Sequence, residues 1–244
     1  MSHAPVTPPP PPSPPSPSPS PSSGWSAAPG PQAVLRSPVG LSKAVMILLG
    51  LVVVADLFSL WQGNHSYQLI GRLIGDVDSV TPREIDQADT LYRTAGILQV
   101  AVTVATAVVF IAWFHRVRVN AEVFAPEHHE KKRGWAIWGW IVPVVNLWFP
   151  RRIATDIWNA SAGERSRSTA LLNCWWALWV LNLLFGRVAS QRYTRATGPE
   201  EIKGAYAGLM ASDLFNIAAA VLAVLFVLRL TRMQHEKALR GPAT

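Results

Sequence analysis

Four stretches of this chain are too long and too apolar to fold in water. Residues 42–62 are interrupted only by Lys43 and Asp56, residues 94–114 and 168–186 carry no charge, and residues 205–228 contain only Asp213. Each approaches or exceeds the ~20 residues that a helix needs to cross about 30 Å of hydrocarbon. Backbone amides in lipid must be satisfied within their own segment, so these stretches are expected to be helices. The fold class that follows is all-α: a polytopic membrane bundle with four transmembrane helices. Composition agrees, because only 15% of residues are charged, against roughly a quarter in soluble domains.

Residues 1–40 form a different kind of polymer. From Pro5 to Pro31 nearly every second residue is proline, with serine filling most gaps. Proline fixes φ and removes the amide donor, so a disordered tail with local polyproline II character is expected. Its P-x-x-P spacings suit a docking arm for a cytoplasmic SH3-like or WW-like partner. No Arg or Lys precedes Arg36, however, and a solvated spacer explains the same composition. Without a basic n-region ahead of it, the first apolar segment is expected to act as an uncleaved anchor. The membrane domain is then residues 41–235, followed by a short tail, 236–244.

A fifth uncharged stretch, 134–150, reads GWAIWGWIVPVVNLWFP. Its roughly fifteen core residues reach only about 22 Å as a helix, Pro143 interrupts it, and tryptophans, which prefer the membrane interface, crowd it. A re-entrant or interfacial segment is expected, with a fifth transmembrane helix as the alternative. In residues 151–162, Ile153, Ala154, Ile157, Trp158 and Ser161 share one helical face, opposite Arg152, Thr155, Asp156 and Asn159. Such an amphipathic helix either lies on lipid headgroups or packs on the protein itself. In the first case Arg151, Arg152, Trp148 and Trp158 would contact headgroups.

Charge placement decides orientation. With four spans, 15 of the Lys and Arg residues fall on the side of the termini and 7 on the other; with five spans they divide equally. The positive-inside rule therefore favours four spans, a cytoplasmic-membrane location and both termini in the cytoplasm. The net charge of +7 sits mainly beside apolar runs, which makes the bilayer the expected partner and nucleic acid an unexpected one.

Both outer loops offer a helix start. Thr81-Pro82-Arg83-Glu84 has the spacing of a capping box, and Thr197-Gly198-Pro199-Glu200 repeats the Thr and Glu positions 116 residues later. The same shift aligns Phe110 with Phe226 and Arg116 with Arg232, as two related hairpins would, unless shared capping grammar accounts for it. Charged groups inside lipid are costly, and they mark either ion sites or structural pairs. Asp56 and Asp213 lie at similar depth; they form a proton or cation site, or each pairs with an arginine at the outer edge, Arg93 or Arg187. Asn146, Asn173, Asn182 and Asn216 are candidates for interhelical hydrogen bonds, and Asn182 and Asn216 join the two aspartates in the candidate polar site.

His128, His129 and Glu130 lack the further ligands that a metal would need, and no nucleophile triad, P-loop, HExxH or GxGxxG is present. The chain is expected to be non-enzymatic and free of cofactors. Trp175, Trp176 and Trp179 stand at helical spacing that fits packing. Cys174 is the single cysteine, which excludes an intrachain disulfide.

Three stretches carry a family resemblance: WFHRVRVN at 113–120, WAIWGWIVPVVNLWFPRRIATDIWNAS at 135–161 and CWWALWVLNLLFG at 174–186. Over about residues 45–235 the chain resembles a bacterial membrane family, frequent in actinobacteria, catalogued as domain of unknown function 4328. The motif W-x-x-P-x-x-N-L-W-x-P is carried by Trp140, Pro143, Asn146, Leu147, Trp148 and Pro150, with Arg116, Arg118 and Asn120 ending the second span. The resemblance implies a multi-pass membrane domain and brings no activity. The function expected is that of a scaffold, sensor or interaction protein using the proline-rich arm. The alternative is a small transporter or channel built on Asp56 and Asp213.

Overall fold

The computed structural model describes residues 35–127, 129–162 and 168–240. The tail expected over residues 1–40 falls almost wholly outside them. Among the described residues six α-helices follow one another: α1 (Val39–Gly75), α2 (Pro82–Phe124), α3 (Trp135–Ile141), α4 (Phe149–Ala162), α5 (Ala170–Arg195) and α6 (Pro199–Arg240). Helices α1, α2, α5 and α6 are long and apolar enough to cross a membrane, so the protein is a membrane-embedded, all-helical bundle.

These helices are longer than the apolar runs that announce them. At 1.5 Å per residue, the 37, 43 and 42 residues of α1, α2 and α6 reach about 55–65 Å, well past the hydrocarbon. Helix propensity carries the chain on after the apolar run ends, as in PREIDQADTLYR at the start of α2. Likewise α6 continues to Arg240, so residues 236–240 belong to that helix rather than to a separate tail. Thr81 caps α2 through the full reciprocal box with Glu84. The second loop differs: the Thr197 amide donates to Glu201 at 3.0 Å, so the expected Thr197–Glu200 match shifts by one residue.

Packing runs in the order α2–α1–α6–α5, with α1 and α6 against each other at the centre. Small residues permit this close approach: a Cβ on Gly63 would meet Met210 Cγ at 3.0 Å. The outward faces are apolar, with Ile47, Leu51 and Val54 on α1 and Ile97, Val100 and Val104 on α2 all exposed. A surface of this kind is soluble in acyl chains and not in water. Helices α2 and α5 touch through aromatic rings, Phe110 with Trp175 at 5.8 Å and Tyr92 with Tyr193 at 5.6 Å, and a cleft lies beside these contacts.

The Trp-rich segment does not cross. Helix α3 has 7 residues and covers only about 10 Å. The chain then turns at Val142–Val144, with Val144 at φ 67°, a conformation costing a β-branched residue about 1–3 kcal/mol. A short 3-10 turn and α4 bring it back. Helix α4 takes the second of its two expected roles, packing on the protein: Ile153, Ala154, Ile157 and Trp158 are all at most 1% exposed within the main core.

Crossing number is open to a direct check. In a Cys174→Ala background, single cysteines at Ser79 and Thr197 are expected to label from one side of sealed vesicles, and those at Lys131 and Arg240 from the other. Labelling of Lys131 together with Ser79 would contradict four crossings.

Candidate functional site

Polar side chains from all four spanning helices meet near mid-length. The Gln99 side-chain amide of α2 donates to Asp56 Oδ1 of α1 at 2.9 Å and to Asp213 Oδ1 of α6 at 3.0 Å. Its two amide protons are thereby divided between two carboxylates. Asn216 Nδ2 of α6 donates to the other Asp56 oxygen at 2.8 Å. Asn182 Nδ2 of α5 donates to Asn216 Oδ1 at 3.0 Å, and the Ser212 hydroxyl to Asn182 Oδ1 at 3.3 Å.

The donors explain how carboxylates persist here. A buried acid without hydrogen bonds would cost several kcal/mol, and each amide contact returns part of that. Asp56 is 1% exposed, while Asp213 is half-buried. Because both accept from one nitrogen, their Oδ1 atoms lie no more than about 6 Å apart. Among the described residues neither aspartate has a basic side chain within 4.0 Å. The expected pairing with Arg93 and Arg187 is therefore replaced by amides. Sequence reasoning found Asp56, Asp213, Asn182 and Asn216 but missed Gln99, which stands in an uncharged run and gave no signal of its own.

A cleft of about 260 Å³ begins one turn nearer the termini, lined by residues of α1, α2, α3, α5 and α6, including Thr103, Phe110, Trp175 and Asn216. Trp140 of α3 closes that end. Its ring meets Phe110 and Phe114 of α2 at 5.4 and 5.5 Å, and Trp176 and Trp179 of α5 at 5.9 and 5.7 Å. At the opposite end of the polar cluster, Tyr92 of α2 meets Tyr193 of α5 at 5.6 Å and Tyr206 of α6 at 5.1 Å. Aromatic rings thus join α2 to α5 above and below the polar cluster.

The other motif residues position these parts. Arg118 is 2% exposed; it pairs with Glu122 at 2.8 Å and donates to the Lys131 carbonyl at 2.7 Å, holding the segment before α3. Arg133 also pairs with Glu122. Asn120 grips the backbone of Arg36, accepting from its amide at 3.0 Å and donating to its carbonyl at 2.8 Å. Pro143 sits in the turn, Asn146 and Leu147 in the 3-10 turn, and Pro150 is buried in the first turn of α4.

The proposed headgroup contacts divide. Arg151, Arg152 and Trp148 are exposed, with Arg151 donating to Asn173 at 2.9 Å. Trp158 is corrected: it is 0% exposed, stacked on Phe226 at 6.1 Å and covered by Arg229, because its face of α4 turns into the core. His128 lies outside the described residues.

Replacing Gln99 by Leu removes one donor from each carboxylate, and an expected loss of about 1–3 kcal/mol is measurable by reversible unfolding in bicelles. Val100→Leu, on the lipid-facing side, is expected to change stability by under about 0.5 kcal/mol. Equal effects would contradict the network.

A family model described as a domain of unknown function matches residues 77–232. The matched stretch holds Gln99, Asn182, Asp213 and Asn216 and starts after Asp56, later than the expected position near 45. No curated protein and no solved structure matches the chain. With nearly two thirds of its length matched, from the turn after α1 into the last turns of α6, the chain belongs to the family of domain of unknown function DUF4328.

Proposed function

We propose that this chain is a small, non-enzymatic transporter of the cytoplasmic membrane, with the Asp56–Gln99–Asp213 cluster as its proton or monovalent-cation site. One observation carries the reading: two carboxylates share a single amide donor inside the bundle with no cationic side chain within 4.0 Å among the described residues. Like charges so close in a poorly polarisable medium repel strongly, and a proton or a bound cation is the economical way to offset that. A purely structural role is better served by an arginine, and arginines stand nearby in sequence at Arg93 and Arg187.

Orientation follows from charge: the loops and ends on the side of the termini hold 15 Lys and Arg residues against 7, which favours cytoplasmic termini. A docking or spacer role for the tail is the companion proposal. The P-x-x-P spacings between Pro5 and Pro31 support it.

Reconstituted into liposomes with a pH dye inside, the full chain is expected to move protons down an imposed gradient, and Asp56→Asn with Asp213→Asn is expected to reduce this at least tenfold. Deleting residues 1–35 should leave the flux intact while abolishing capture of any cytoplasmic partner. Equal flux in wild type, double variant and empty liposomes would overturn the transport reading.

A further inference from the structure

The cleft between α2 and α5 has a wall chemistry that selects its occupant. Phe110, Trp140, Trp175 and Trp179 present aromatic surface, and Thr103, Thr106 and Asn216 supply its polar spots. Among the described residues no Lys, Arg or His lines it. Asn216 belongs both to the cleft and to the carboxylate cluster, donating to Asp56. Val52 on α1 also lines the cleft; one helical turn, about 5–6 Å, separates it from Asp56. Asp213, half-buried, is the more approachable of the two acids.

Aromatic faces attract cations through their quadrupoles, and most strongly where water is excluded. Neither aspartate lines the cleft itself, but Asp56 lies directly behind Asn216, so an anion here would face the field of the carboxylates with no basic group to offset it. A neutral apolar molecule would gain the walls but leave the charge uncompensated. Ile97, Val104 and Val108 on α2 and Leu183 on α5 are exposed apolar side chains, so a path between these two helices would give onto the acyl-chain layer. We propose that this cleft binds a monovalent lipophilic organic cation, of the quaternary ammonium or protonated amine class, entering laterally from the bilayer between α2 and α5. The inference rests on the transport reading of the same carboxylate cluster and names its substrate class. The cation's apolar body packs against Phe110, Trp175 and Trp179, and its charge lies toward Asn216 and the two aspartates. Trp140 forms the floor, so the re-entrant α3 sets how deep the ligand sits.

Binding of radiolabelled benzyltriethylammonium to the full chain in detergent tests this, with size-exclusion confirming that each variant is folded. Wild type is expected to show saturable, single-site binding that excess unlabelled cation displaces and the uncharged carbon isostere does not. Asp213→Asn, which keeps the side-chain shape, should weaken binding about tenfold, the scale of one partly screened charge pair. Trp179→Ala should weaken it to a similar degree, while Trp138→Ala, on the exposed face of α3, should leave it unchanged. Absence of saturable binding to folded wild type, or equal displacement by the neutral isostere, overturns the proposal. So does binding indifferent to both Asp213→Asn and Trp179→Ala. The two readings fail separately: cation binding without proton flux sinks transport and keeps the cation site, whereas proton flux without cation binding does the reverse.

Discussion

A carboxylate inside hydrocarbon must find its hydrogen bonds within the protein, and this bundle is arranged around that requirement. Asp56 is fully covered, so its oxygens depend on amide donors from α2 and α6. Those donors arrive only if α1 is central and α2 and α6 flank it, which is the packing order observed. Apolar contacts alone would not specify that order, because lipid solvates a leucine as well as a neighbouring helix does. The polar cluster therefore selects one arrangement among many similarly greasy ones.

The same economy shapes the two ends of the cleft. Helices α2 and α5 are bridged by aromatic rings: Trp140 of α3 lies between them at one end, and the Tyr92–Tyr193–Tyr206 group joins them at the other. Trp140 in turn depends on a strained backbone at Val144 and on buried Arg118, which fastens the preceding segment. Strain of that kind survives only where surrounding contacts over-determine it. Here α4 seals the end, with Ile157 and Trp158 inside the core.

Much of this was legible in the residues, and the exceptions are instructive. The four spans could be read from length and hydropathy because lipid imposes a single solution on such segments. Their true ends could not, since helices continue beyond the apolar window wherever propensity permits, as α1 does to Gly75. The short reach of 134–150 identified a segment that turns back. Trp158 misled, because a helical face shows which residues lie together but not whether lipid or protein covers them. Gln99 was invisible for a related reason: an uncharged amide in an apolar run acquires meaning only from partners 43 and 114 residues away.

The bridge that one glutamine amide makes between two acids from different helices is what the rest of this bundle depends on. Its most direct test is a solid-state NMR dipolar distance, in lipid bilayers, between the 15N-labelled Gln99 side chain and the 13C-labelled Asp213 carboxyl. A nitrogen-to-carbon separation of about 3.5–4.5 Å, as hydrogen-bond geometry requires, is predicted. A separation beyond about 6 Å, too long for any hydrogen bond between those groups, would contradict it.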